Sequence, residues 1–269
     1  MLFELELFGI AIGVGALGGM LGIGGGVFII PILTVLLHVP IKLAIGASLV
    51  SVIATSSAAG AVYAGHGLTH SKLAMVLEIA TTSGAIAGGL IATSMNERWL
   101  EGLFAGILIV TAFGMGRLKP DAESSGPTGR LDTSFLDPVS GARVRYGVRH
   151  LGIGMGASVA AGGLSGLLGI GGGVIKVPIM TLVMRIPLKA AVATSNFMIG
   201  VTAGTSAIIY FSRGYVTPYL AVPTALGVLI GAGIEPRVGR RVRSSAVKRI
   251  FEVVLVVFAA QMLWKALHG

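Results

Sequence analysis

Apolar residues run almost without interruption through most of the chain, and polar residues are concentrated in short breaks between these runs. Leu43 to Ser71, Ala190 to Ser212 and Gly214 to Ile234 carry no charged residue. A helix needs about 20 apolar residues to cross a bilayer. The pattern therefore predicts an all-α polytopic membrane protein. Its spanning helices are predicted over residues 43–66, 72–93, 99–117, 190–212, 217–236 and 247–267.

Composition supports the membrane class and excludes a large soluble domain. The 269 residues are 54% hydrophobic and 12% charged, and the mean hydropathy is +0.90. A soluble domain carries about 25% charged residues, so too few are present here to solvate a water-facing surface. The net charge of +9 comes from basic residues in the breaks between apolar runs. In a membrane protein this distribution reports topology, so we expect no nucleic-acid partner.

One glycine-rich phrase occurs twice. "LGIGGGVFIIPIL" begins at Leu21 and "LGIGGGVIKVPIM" begins at Leu168, an offset of 147 positions that also relates Pro40 to Pro187 and Ser48 to Ser195. The chain therefore contains an internal duplication. We predict a membrane repeat over residues 1–117, a polar linker over 118–146, and a second membrane repeat over 147–269. The linker is rich in Gly, Pro and Ser and has no apolar period, so we expect it to be extramembrane and partly disordered.

Lys and Arg set the predicted orientation. The linker and residues 237–249 are the most basic segments, which places both in the cytoplasm. If each glycine phrase is the tip of a helix hairpin (residues 5–38 and 148–186) followed by three spanning helices, 15 of the 20 basic residues lie inside and four outside. The halves are then inverted repeats with both termini outside, a common construction in secondary transporters. Treating each hairpin as one long helix gives parallel repeats and a weaker charge bias.

The glycine phrases are the first candidate binding sites. Four glycines within "GIGGG" break a helix, and the helix that restarts after them does so within the membrane. Its free N–H groups and positive dipole end favour an anion. Two such starts at a repeat interface predict one anion site, whereas close helix packing alone is the alternative explanation. The residues assigned to this site are Gly24, Gly25, Gly26, Val27, Gly171, Gly172, Gly173 and Val174.

Charged and hydroxyl residues in the spans are the other candidates. Lys176 replaces Ile29 of the first phrase, so any site is asymmetric. A cation at this depth needs a partner, either a substrate anion or Glu78 or Glu252, unless it snorkels to the interface. Glu78 is also a candidate proton relay. We add Ser48, Ser195 and Asn196 to the substrate site. His66 and His70 lie near a loop and are expected to be solvated, and no metal site is predicted.

The duplicated motif "GMLGIGGGVFIIPIL" and "GLLGIGGGVIKVPIM", with the two-half layout and the basic linker, resembles the TauE/SafE family of sulfite and organosulfur-anion exporters. The resemblance implies a secondary transporter in the inner membrane. Its substrate would be sulfite, thiosulfate, sulfoacetate or a similar organosulfonate, coupled to protons or sodium. An anion channel, or a permease for a non-sulfur carboxylate or oxyanion, is the alternative. We expect no enzyme activity and no cofactor. Lipid and a small anion are the expected partners, and homo-oligomerisation is left open.

Overall fold

The computed structural model describes residues 2–21, 25–65, 67–115, 131–136, 141–238 and 244–268. The chain is almost entirely helical in these ranges, as predicted. In chain order the helices are α1 (Leu2–Leu21), α2 (Gly26–Pro31), α3 (Ile41–Gly65), α4 (Ser71–Ser94), α5 (Glu97–Met115), α6 (Leu151–Leu168), α7 (Gly173–Pro178), α8 (Leu188–Ser212), α9 (Pro218–Val238) and α10 (Ser244–His268). Two short strands, β1 (Thr133–Leu136) and β2 (Arg143–Tyr146), lie between α5 and α6.

The duplication in sequence is also a duplication of helices. The start of α2, the start of α3 and the start of α4 recur 147 positions later at the starts of α7, α8 and α9. Both α2 and α7 end on a proline and continue as π-helical turns, Ile32–Leu36 and Ile179–Val183, because proline cannot donate the regular backbone hydrogen bond. Even the left-handed residue after each π-helical segment recurs, as His38 and Arg185.

The spanning helices agree with the predicted ranges to within about three residues. Four helical segments of the described chain are long and apolar enough to cross a membrane, namely Ile41–Gly60, Ser71–Ser94, Leu151–Leu168 and Leu188–Ser212. Shorter apolar helices cover Gly26–Leu36, Gly173–Val183 and Pro218–Gly233. The large hydrophobic side chains that remain exposed on α4, α8 and α9 are consistent with surfaces that face lipid rather than water.

The second glycine phrase forms the tip of a helix hairpin. Gly169, Gly171 and Gly172 all have φ near +70°, a left-handed conformation that reverses the chain between α6 and α7. At the other end of the hairpin, the Arg149 N–H donates to the Met184 carbonyl at 3.2 Å. The start of α6 and the end of the π-helical segment therefore lie side by side.

Helix packing follows the duplication, because each half supplies partners to the other. α6 packs on α4, and its counterpart α1 packs on α9; α8 packs on α4, and α3 packs on α9. α3 packs on α8, and α5 on α10. Along the α4–α8 contact, the His70 N–H bonds the Thr194 hydroxyl and the Thr202 hydroxyl bonds Glu78. Both pairs are 124 residues apart, so α4 and α8 run in the same direction.

Glycines bring the backbones of paired helices into contact. A Cβ added at Gly162 of α6 would overlap the Thr81 carbonyl of α4, and one added at Gly84 would overlap the Val159 carbonyl. Gly15 of α1 has the same relation to Val228 of α9. Small residues permit this close approach in membrane helices. Close helix packing therefore accounts for Gly15, Gly84 and Gly162, which lie outside the two "GIGGG" phrases.

Replacing Gly162 with alanine is expected to destabilise the protein by about 1–3 kcal/mol, because the new methyl group collides with backbone that cannot move aside. Gly156→Ala, on the same helix, is the matched control, since a Cβ there has no neighbour within 4 Å. Thermal unfolding in detergent measures the difference. Equal melting temperatures for the two variants would contradict the assigned α4–α6 contact.

The described part of the linker folds into a hairpin, which its composition does not predict. β1 and β2 pair antiparallel, with Phe135 opposite Val144 and Thr133 opposite Tyr146. Phe135 and Tyr146 are buried and contact each other edge to face. They belong to one hydrophobic cluster with Leu77, Met184 and other residues at the starts of α4 and α8. Burial raises the pKa of the Tyr146 phenol, so this side chain stays neutral. Residues 118–130 and 137–140 lie outside the described part of the chain.

The expectation that His70 is solvated is wrong. Its side chain is buried, with Nδ1 accepting the Leu73 N–H at the start of α4 and Nε2 donating to the Leu131 carbonyl at 2.8 Å. The ring also contacts Tyr146 edge to face. His70 therefore caps α4 and holds the linker at the same time. Its neighbour His66 lies outside the described residues.

Candidate functional site

The two glycine phrases meet inside the protein. Gly25, Gly26 and Val27 are buried at the start of α2. A Cβ added at Gly26 would lie 3.0 Å from the Gly169 carbonyl and 2.7 Å from the Ser48 hydroxyl. Ser48 donates to that same carbonyl at 3.0 Å, which ties α3 to the second phrase. Gly24 lies outside the described residues.

Two unpaired hydroxyls surround the second phrase. Gly172 lies against Ser165 of α6, and Gly173 lies against the Ser195 hydroxyl of α8. Both hydroxyls are fully buried and have no hydrogen-bond partner in the described structure. Ser48, the counterpart of Ser195, is paired, and the counterpart of Ser165 is Gly18. Polar groups without a partner are therefore found at the second phrase, where a ligand could use them.

Lys176 is the central cation of this region. It is 3% exposed, and it is the one fully buried Lys or Arg among the described residues. Its Nζ donates to the Thr202 hydroxyl at 3.0 Å and lies 3.6 Å from Glu78 Oε2. Glu78 is therefore its partner. The alternative Glu252 belongs to α10, which packs on α5, and the snorkelling alternative is wrong because the ammonium group points into the protein.

Glu78 faces the same cluster from α4. Its Oε1 accepts from the Thr202 hydroxyl at 2.7 Å and from the Thr82 hydroxyl at 3.3 Å. Its Oε2 makes no hydrogen bond and has Lys176 as its nearest charge. Thr202 therefore touches both charged groups, accepting from one and donating to the other. The carboxylate comes from the first half of the chain, whereas the cation and the hydroxyl come from the second.

A narrow cavity lies beside Lys176, and it has no free space for even one water molecule. It is bounded by α4, α6, α7 and the π-helical segment that follows α7. The residues around it are Leu77, Gly154, Ala157, Ser158, Lys176, Ile179, Met180 and Met184. The space is too narrow to hold an anion, so this conformation is closed around Lys176. Its far end reaches Met184, beneath the linker hairpin.

The first half contains a matching narrow cavity with apolar walls. Its residues are Leu7, Ile10, Ala11, Val14, Ile29, Ile32, Leu33 and Thr224. Most of them are the 147-position counterparts of residues around the first cavity. Ile29 stands where Lys176 does, Ala11 where Ser158 does, and Ala225 where Glu78 does. The duplication therefore supplies two cavities, one charged, beside Lys176 and Glu78, and one apolar.

Asn196 is the remaining residue assigned to the substrate site. It is buried, and its backbone carbonyl accepts a hydrogen bond from Ser56 of α3. Ser195 adjoins Gly173, and Ser48 and Gly26 adjoin Gly169, so all three lie at the second glycine phrase, which itself contains Lys176. Sequence reasoning missed Ser165 and assigned no special role to Thr202. The signal for Ser165 was available, since it is the one hydroxyl in "GGLSGLLGIGGG" and its counterpart is glycine.

Comparison with known proteins identifies the family. The sequence model described as sulfite exporter TauE/SafE matches residues 7–262, which is almost the whole chain. The chain belongs to the TauE/SafE family. The family resemblance predicted from the duplicated motif is therefore confirmed.

Curated relatives of this TauE/SafE member are described as probable membrane transporters. The probable membrane transporter protein YunE of Bacillus subtilis is 25% identical over 95% of each chain. A probable membrane transporter protein of Methanocaldococcus jannaschii is 26% identical over 93% of this chain and 91% of the relative. No solved structure matches. Family and helices together make the chain a multi-pass membrane transporter, a class distinct from enzymes.

Proposed function

We propose that the protein is a secondary transporter that moves a small sulfur-containing anion, such as sulfite, thiosulfate or sulfoacetate, across the cytoplasmic membrane. The observation that carries this proposal is Lys176, a buried cation beside a closed cavity in one half of a duplicated fold. A buried ionisable residue in a membrane protein marks a transport path by default. The choice of sulfur anions comes from the family, whose description names sulfite export.

The anion is held at the glycine phrases, with Lys176 supplying the charge. The start of α7 leaves N–H groups near Gly173 and Val174 that a buried anion can accept from. The unpaired hydroxyls of Ser165 and Ser195 stand at the same turn. Gly25, Gly26 and Val27 approach from the other half through the contact between Gly26 and Gly169. Binding requires the cavity beside Lys176 to widen, which a movement of one half against the other supplies.

The two halves, residues 1–117 and 147–269, are inverted repeats joined by the linker 118–146. Two contacts support this inversion. Lys42 at the start of α3 donates to the Thr93 carbonyl near the end of α4, as expected if α3 and α4 run in opposite directions. α8 runs in the same direction as α4, and α8 is the counterpart of α3. Corresponding helices therefore point opposite ways, and rocking of the halves gives alternating access.

The linker face is cytoplasmic, and both termini lie outside. Arg143 and Arg145 of the linker, and the adjacent Arg149, lie at the same end of the molecule as Arg185 and Lys189. Lys42 and Lys265 lie at the opposite end with the start of α3 and the end of α10. The excess of positive charge on the linker side supports a cytoplasmic position for that side.

Counterflow in proteoliposomes tests the function. Vesicles preloaded with unlabelled thiosulfate, sulfite or sulfoacetate are expected to take up the same labelled anion by a saturable route that internal anion accelerates. Acetate and phosphate serve as non-sulfur controls. Flux that rises linearly with concentration and shows no counterflow would identify a channel. Preference for acetate or phosphate would identify a permease of another substrate class. Either result would overturn the proposal.

A further inference from the structure

We propose that the Glu78 carboxyl group is the binding site of a coupling proton, and that this proton and the anion bind together and cross the membrane in the same direction. The inference rests on the proposed function, because it assigns the coupling ion to the same site. It goes beyond that function by naming the ion, the number of ions and the residue that carries it. The step is a simple protonation in which the carboxylate takes one proton from solvent and later releases it.

The first support is the charge balance around Lys176. Among the residues that the structure describes, its ammonium group has one anionic neighbour, Glu78 Oε2 at 3.6 Å. α6, which packs on α4, carries no charged residue between Leu151 and Leu168. α7 contributes Lys176 itself, and α8 carries Lys189 at its first turn. On α4 the other titratable groups are His70 and Lys72, at the far end of the helix near the linker. One carboxylate therefore balances one ammonium group.

A substrate anion and an ionised Glu78 compete for the same cation. If both occupied the site, it would hold two negative charges beside one positive charge in surroundings from which water is excluded, an arrangement that costs far more there than in water. Protonation of Glu78 removes the competing charge and leaves Lys176 to the anion. Proton binding and anion binding therefore strengthen each other, which is the requirement for cotransport in one direction.

The Thr202 hydroxyl can hydrogen-bond to Glu78 whether the carboxyl group is ionised or protonated. With Glu78 ionised, its hydroxyl donates to Oε1 at 2.7 Å, as in this structure. With Glu78 protonated, the same hydroxyl can accept from the carboxylic acid and donate to the Met198 carbonyl, which lies 3.0 Å away. Thr202 is therefore a positioning residue that keeps the carboxyl beside Lys176 while its charge changes. Thr55, its counterpart in the first half, bonds to the Ser51 and Val52 carbonyls of its own helix.

The first half has no equivalent of this proton site. Ile29 and Ala225 occupy the positions of Lys176 and Glu78, and the matching cavity is apolar. The described structure therefore supports one proton site for each transporter and a stoichiometry of one proton to one anion. This asymmetry gives the experiment its matched controls, because residues of the first half or of a distant ion pair can be changed without touching the charged cavity.

Accumulation of thiosulfate under an imposed pH gradient tests the inference. Thiosulfate is the probe because its charge does not change near neutral pH, and a potassium–valinomycin clamp holds the membrane potential at zero. Wild-type protein is expected to concentrate thiosulfate on the alkaline side by about tenfold for each pH unit of gradient. Glu78→Gln is expected to reduce the accumulation ratio to about one. Glu101→Gln, which alters the ion pair with Lys265 at 2.9 Å, is expected to accumulate thiosulfate as the wild type does.

Binding provides a second measurement that needs no transport. Stabilisation of purified protein by thiosulfate is expected to strengthen as pH falls, and this dependence is expected to vanish in Glu78→Gln. Thr202→Val is expected to weaken this pH dependence of thiosulfate binding, Thr202→Ser to restore it, and Thr55→Val to leave it unchanged.

A Glu78→Gln protein that keeps the wild-type pH dependence of thiosulfate binding would overturn the inference. Wild-type counterflow of thiosulfate without any response to a pH gradient would also overturn it while leaving the proposed function intact. A wild type that moves none of the sulfur anions would refute the function itself.

Discussion

Replacing Lys176 with isoleucine is expected to reduce sulfur-anion uptake by about 10- to 100-fold, the loss that corresponds to removing one charge-assisted contact. Isoleucine is the residue that the first half carries at the matching position, Ile29. The substitution therefore gives the charged cavity the apolar character of its counterpart. Counterflow in proteoliposomes at equal protein content measures the change, with the wild type as reference.

The same substitution leaves Glu78 without its cation, and an uncompensated buried charge costs about 3–5 kcal/mol of stability. A second variant separates this effect from the loss of transport. Lys176→Ile combined with Glu78→Ala reproduces the Ile29 and Ala225 pair of the first half. The double variant is expected to regain thermal stability relative to Lys176→Ile and to remain inactive. A stable double variant with wild-type counterflow would refute the assignment of Lys176 to the substrate site.

Helices and their breaks were predictable because each depends on residues close together in sequence. An apolar run of sufficient length predicts a span, and four glycines followed by Val and Pro predict a helix break. The constant offset of 147 positions then related each feature of one half to its counterpart in the other, including the proline that ends both α2 and α7. The prediction that Lys176 needs a partner also followed from local sequence, because a cation in an apolar phrase is costly whatever the fold.

Contacts between residues far apart in the chain could not be predicted in this way. Glu78 and Thr202 are 124 residues apart, and nothing in either helix distinguishes Thr202 from the other hydroxyl residues that bond to their own backbone. Glu78 and Glu252 were equal candidates for Lys176 until the packing of α4, α7 and α8 was known. Ser165 stands out when it is compared with its counterpart Gly18, a comparison that needs the duplication first.

The linker hairpin shows the same limit of prediction from local sequence. Its composition predicts an aperiodic segment, yet Phe135 and Tyr146 anchor a two-stranded hairpin against the starts of α4 and α8. An isolated two-stranded hairpin is at best marginally stable in water, so its order here comes from docking. That docking uses His70, and a sequence pattern cannot tell a buried capping histidine from a solvated one.

Tyr146→Ala is expected to release the linker hairpin from the helices. The side chain is 1% exposed, and loss of a large buried aromatic side chain costs about 3–5 kcal/mol, more than a docked hairpin of this size can tolerate. Because the hairpin and the charged cavity share a hydrophobic cluster, its release is expected to uncover Met184, which is fully buried. The chain has no cysteine, so Met184→Cys gives a single labelling site for a maleimide. Labelling is expected to be slow in Met184→Cys alone and fast when Tyr146→Ala is added.

Leu136→Ala is the control on the same hairpin, since the Leu136 side chain is 59% exposed and its loss should leave the labelling rate unchanged. Equal labelling in the Tyr146 and Leu136 backgrounds would mean that the hairpin does not cover this end of the cavity.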